Sequence, residues 1–211
     1  MRKLIASTFV SLDGIMQAPG GPEEDPTGSF TLGGWMSAYR DWDEGMDVSA
    51  AGFEGNDREL VLGRRTYEMF EAFWSHQPDD NSIAKTFNAA KKYVASRTLT
   101  MLHWNNSTLL HGDVVSAITA LMAQPGPDLQ IIGSGTFIQT LQAASLIDEY
   151  NVCTFPVVLG RGRRLFSETA KPSALRLVRS QVSPAGVVMS TYVPDGDIQL
   201  GSFASAEPSE K

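Results

Sequence analysis

Apolar residues in this chain come in short runs broken by glycine, proline and small polar residues, with stretches at three- and four-residue spacing between the runs. Lys3 to Leu12 is a first strand, rich in Ile, Thr, Phe and Val, that stops at the turn Ser11-Leu12-Asp13-Gly14. Further strands are expected at Glu59 to Leu62, Lys92 to Ala95, Ser107 to Leu110, Leu129 to Ile132 and Ile147 to Phe155. Helical spacing predicts helices from Arg64 through Phe73, over Ile83 to Ala90, and over Val114 to Ala123 behind an Asp113 N-cap. Another carries Phe137, Ile138, Leu141 and Ala144. Trp35, Tyr39, Trp42 and Met46 share the spacing, so an amphipathic helix is expected over Trp35 to Ala51. Ala174 to Ser183 and Val187 to Val193, joined by Pro184-Ala185-Gly186, read as a closing antiparallel hairpin. Strand, glycine turn, helix and strand across 129–155 is the pattern of a parallel crossover unit. Together these elements predict an α/β sandwich with a mixed, mostly parallel sheet.

Two segments stand outside the pattern. Pro19 to Gly34 has no periodicity; a loop of that length is a lid or a binding loop, with a disordered excursion as the alternative. Asp195 to Lys211, rich in Gly, Ser, Ala, Glu and Pro, reads as a disordered tail.

The 211 residues suit one domain with an ample core. A net charge of -7 argues against nucleic acid or an anionic membrane surface as partner, and leaves anion binding to a local cluster of donors. The single Cys153 lies in an apolar strand and reads as a packing residue. The N-terminus reaches Asp13 too early for a signal peptide, and no apolar run approaches the ~20 residues of a membrane span. The expected compartment is the cytoplasm. His76, His103 and His111 are scattered without metal spacing, so no metal site is expected.

Candidate chemistry collects where strands end. Gly63-Arg64, Ser96-Arg97 and Gly133-Ser134-Gly135 each replace the apolar run with glycine, hydroxyl or guanidinium groups. In open α/β sheets ligands lie outside the carboxyl ends of the strands, and helix starts there present amides to anions. Gly133-x-Gly135 lacks the third glycine of the dinucleotide fingerprint, since Ile138 stands in its place. Gly160-Arg161-Gly162-Arg163-Arg164 looks like a second phosphate loop. Arg64 and Arg65 are adjacent and cannot share one helical face.

These residues carry a resemblance. Gly63-Arg64-Arg65-Thr66-Tyr67-Glu68 resembles the glycine-arginine-x-threonine helix start of the dihydrofolate reductase superfamily, and Val94-Ala95-Ser96-Arg97 its strand ending in serine-arginine. Ile131-Ile132-Gly133-Ser134-Gly135 is similar to its glycine-rich turn, followed by Pro156, Gly160-x-Gly162 and Leu165-Phe166. Ser11-Leu12-Asp13-Gly14 and the closing hairpin narrow it to the branch that holds the reductase domain of the riboflavin-biosynthesis deaminase-reductase. The resemblance covers residues 1–194 and implies one dihydrofolate-reductase-like domain, a three-layer α/β/α sandwich.

The resemblance also implies NADPH as cofactor and a homodimer. Arg64 and Thr66 would hold the pyrophosphate, with Arg64 favoured over Arg65, and Ser96 and Arg97 the adenosine 2′-phosphate. Gly133, Ser134, Gly135 and Thr136 would lie against the pyrophosphate and nicotinamide side, and Gly63 would be a further cofactor-binding residue. Asp13 and Gly14 would edge the nicotinamide and the substrate, a pterin- or pyrimidine-like small molecule. The Gly160 to Arg164 stretch would be a turn before the last strands. A proton donor is not assigned: Asp41, Asp43, Glu44 and Asp47 follow the loop, and on a helix Asp43 lies closest to Tyr39 and Trp42. A non-catalytic nucleotide- or small-ligand-binding homodimer is the rival reading.

Overall fold

A computed structural model describes residues 1–39, 41, 43–44, 57–78 and 80–201. Among these residues eight strands form one sheet: β1 (Leu4–Ser11), β2 (Glu59–Gly63), β3 (Lys92–Ala95), β4 (Ser107–Leu110), β5 (Leu129–Ile132), β6 (Glu149–Phe155), β7 (Leu175–Val182) and β8 (Val188–Pro194). Their order is β4-β3-β2-β5-β1-β6-β8-β7. The first six of that series run parallel, and the β7–β8 hairpin closes the edge antiparallel to β6. The crossover from β5 to β6 passes over β1, which lies between them.

Among the described residues four α-helices lie in the crossovers: α1 (Arg64–Trp74), α2 (Ser82–Ala89), α3 (Val114–Met122) and α4 (Gly135–Ala143). Alternation along β2 decides the layers, because successive side chains point to opposite faces. Leu60 and Leu62 pack with Tyr67 of α1 and Phe87 of α2. Val61 packs with Ile118 of α3 and Phe137, Ile138 and Leu141 of α4. The molecule is a dihydrofolate-reductase-like three-layer sandwich with a mixed, mostly parallel sheet. Central strands β1, β2 and β5 are buried almost throughout, as strands covered on both faces must be. Cys153 is a core residue, 1% exposed, and burial pushes its thiol up to about 12, with the charge of Asp43 adding to the effect.

The expected helix over Trp35 to Ala51 is corrected at its start. Trp35–Ala38 is a short 3-10 turn, and Tyr39 leaves it with non-helical backbone angles. The aromatic spacing has another cause: Trp35 and Tyr39 each pack edge-on against Phe155 at 5.5 Å. Trp42, Met46 and Ala51 lie outside the described residues, as does the tail beyond 201. Residues 195 and 196 still bond Ala174 at the base of the hairpin. At the amino end of β3, away from the glycine turns, buried Lys92 has no acid partner among the described residues. Its ammonium donates to the carbonyls of Ala90 (2.7 Å), Asn105 (3.0 Å) and Asn88 (3.4 Å), and burial pushes its pKa down to about 8.

Candidate functional site: a groove along the carboxyl edge of the sheet

The turns that follow β3, β2, β5 and β1 lie side by side in that order along the carboxyl edge of the sheet. Three strand gaps separate β3 from β1, which makes a groove of about 14 Å at roughly 4.8 Å per gap. At its centre the starts of α1 and α4 touch. A Cβ on Gly63 would stand 2.6 Å from Ser134 Oγ, closer than any real side chain tolerates. Gly133 has φ +56, and a Cβ there would meet Thr66 Oγ1 at 3.3 Å. One on Gly135 would reach Met16 Sδ at 3.0 Å. Gly63, Thr66, Gly133, Ser134, Gly135 and Met16 are thus one cluster.

The helix ends here differ from those elsewhere. Asn81 caps α2 by accepting from Ala84 N, and Asp113 caps α3 by accepting from Ser116 N. Neither α1 nor α4 has a side-chain cap among the described residues, and neither carries an acid in its first turn. Both starts therefore leave amide donors and a positive dipole end directed at the groove. The exposed Thr136 stands in the first turn of α4, its carbonyl bonded by Thr140 Oγ1.

On the β3 side, Arg64 turns toward the strand-ending turn. Its Nη1 donates to Thr98 Oγ1 at 2.8 Å and its Nε to Glu68 at 2.9 Å. Ser96 Oγ accepts from the amides of Thr98 (3.2 Å) and Leu99 (3.0 Å), which folds the turn back on itself. Arg97 is exposed and makes no ion pair or hydrogen bond among the described residues. Arg64, Ser96 and Arg97 thus share one end of the groove, and Arg64 lies nearer that end than the sequence suggests. Arg65 points the other way, to Asp25 and Thr27.

On the β1 side, the Asp13 carboxylate accepts from Ser11 Oγ (2.6 Å), Gly160 N (2.8 Å) and Leu159 N (3.1 Å). The Ser11 hydroxyl and these amides hold its pKa down at about 2. Asp13 therefore serves the 159–160 turn with its side chain, and Gly14 beside it has φ +81. Phe9, Trp35 and Tyr39 surround Phe155 just below, an apolar wall under the loop. Asp43 is exposed and lies in a turn, so the helical argument that selected it does not hold. Sequence reasoning missed Met16, Thr98 and Asp25, whose parts depend on contacts across the sheet edge.

Among the described residues, no group of three or more His, Cys, Asp or Glu could hold a metal, and no helix is long and apolar enough to cross a membrane.

Sheet order, helix layers and the paired glycine turns define a dihydrofolate-reductase-like α/β domain. Within that class the chain belongs to the RibD C-terminal domain family, whose model matches residues 2–189. This is a reductase-like family. The chain is 25% identical over 198 residues to the uncharacterized protein YyaP of Bacillus subtilis (strain 168), covering 90% of this chain and 94% of that one. It also resembles the crystal structure of a putative riboflavin biosynthesis protein from Shewanella sp. PV-4, with TM-score 0.61 and 24% identity over 92% of this chain and 99% of the other. Dihydrofolate reductase from Enterococcus faecalis, complexed with NADP(H), shares the fold at TM-score 0.53 and 16% identity, covering 92% of this chain and 96% of that one.

Proposed function

We propose that the chain is an NADPH-dependent reductase that passes hydride from the nicotinamide to a C=N or C=O carbon of a pterin- or pyrimidine-like small molecule. The observation that carries the proposal is the meeting of two uncapped helix starts at the carboxyl ends of the adjacent strands β2 and β5. An extended dinucleotide would run along the groove. Ser96, Arg97 and Arg64 would take the adenosine 2′-phosphate, because a planar guanidinium matches phosphate oxygens. Gly63, Thr66 and the Gly133-Ser134-Gly135-Thr136 start of α4 would take the pyrophosphate. The nicotinamide would then lie between Met16, Gly14 and the half-buried ring of Phe9.

The cofactor supplies the hydride. The protein supplies orientation, an apolar wall that excludes water, and the charges that hold both phosphate ends. No carboxylate is assigned as proton donor. The test is loss of nicotinamide absorbance in the presence of pterin and pyrimidine substrates, one at a time. Turnover of one of them supports the reading; tight NADPH binding with no turnover of any supports the rival binding protein. The expected compartment is the cytoplasm and the expected assembly a homodimer.

A further inference from the structure

We propose that Asp25 is a positioning residue that holds the 19–34 loop closed on the nicotinamide end of the groove, an assignment that rests on the reductase reading above. One carboxylate serves two arginines from different elements. Arg65 Nη1 lies 3.2 Å from Asp25 Oδ1, and Arg163 Nη2 bonds Asp25 Oδ2. Thr27 Oγ1 joins the same knot, donating to Asp25 Oδ1 at 2.6 Å and accepting from Arg163 at 2.6 Å. Arg65 is the second residue of α1, so the loop is tied to the helix start that faces the groove.

A second set of contacts carries the knot to the groove wall. Buried Gln17 donates through Nε2 to the carbonyls of Asp25 (3.0 Å) and Thr27 (2.9 Å). Its Oε1 accepts from Arg163 N at 3.0 Å, and its carbonyl accepts from Trp35 Nε1 at 2.8 Å. Gln17 directly follows Met16, the residue that stands against Gly135. Contacts therefore run without a break from Arg65 through Asp25, Arg163, Gln17 and Met16 to the glycine turn.

The same contacts account for the basic stretch at 160–164. Arg161 donates to Thr31 Oγ1 at 2.8 Å and Arg164 to the carbonyl of Asp13, so each arginine of the turn binds the loop or the turn before it. Without the Asp25 charge, Arg65 and Arg163 would lose their shared counter-charge and the loop its tie to α1. The β3 end, with Arg64 and Arg97, would be untouched.

The test uses the full chain with Asp25→Asn and Asp25→Glu. NADPH should bind Asp25→Asn about tenfold more weakly, as expected for a lost charge-assisted bond. Adenosine 2′,5′-bisphosphate, which does not reach Met16, should bind as before, and Asp25→Glu should recover part of the loss. Backbone amides of 20–31 should exchange hydrogen faster in Asp25→Asn while those of β1 and β5 do not. Equal weakening of both ligands, or unchanged loop exchange, overturns the assignment. If the unmutated protein binds neither ligand, the reductase reading falls, and loop exchange alone decides whether Asp25 is the clasp.

Discussion

Gly63 and Ser134 come so close that a single methyl group tests the site. Gly63→Ala should push Ser134 aside, destabilise the fold by about 1–3 kcal/mol and weaken NADPH binding, read by thermal unfolding and titration. Arg97→Ala should leave the fold intact and narrow the gap between NADPH and NADH by about 1–3 kcal/mol, because it removes one charge-assisted partner of the 2′-phosphate. Asp13 gives a pH signature. Its folded pKa is depressed from 3.8 to about 2, so its contribution to stability is present above about 4 and is lost as pH falls toward 2. In Asp13→Asn, unfolding followed across that window should depend less on pH. At this scale the sequence announces residue types at strand ends but not where their side chains turn. Arg64 and Arg65 look alike in the chain and point to opposite ends of the groove.

Helices divide by how they begin. α2 and α3 are capped by Asn81 and Asp113, so Asp113→Ala should leave the Ser116 amide unsatisfied and lower Tm. Among the described residues α1 and α4 have no such cap to lose, and Ser134→Ala should act on cofactor affinity far more than on Tm. Strands and helices with strong periodicity were readable because burial on a sheet or helix face imposes that period. The stretch after Gly34 differs for a physical reason: Trp35 and Tyr39 are spaced as on a helix, yet what their rings share is packing against Phe155. The 19–34 loop had no period to read, and its order comes from contacts with Arg65 and residues 160–164.

At the scale of the molecule, the class of sheet was legible but its strand order was not. β1 lies between β5 and β6 because a crossover may skip a strand, and no local pattern records that skip. Yet this order sets the groove, since it lines up the turns after β3, β2, β5 and β1. The edge strand β7 leaves Leu177, Val178 and Val182 more than half exposed, a surface suited to a second copy. Light scattering at micromolar concentration should give the mass of a dimer. Under the proposed function the groove takes NADPH along its length, with the 2′-phosphate at Arg97 and the nicotinamide by Met16. Parallel titration of the unmutated protein with NADPH and NADH, followed by nicotinamide fluorescence, tests it most directly. Clear saturation by NADPH with weaker binding of NADH is the predicted result; equal affinities, or no binding of either, would contradict it.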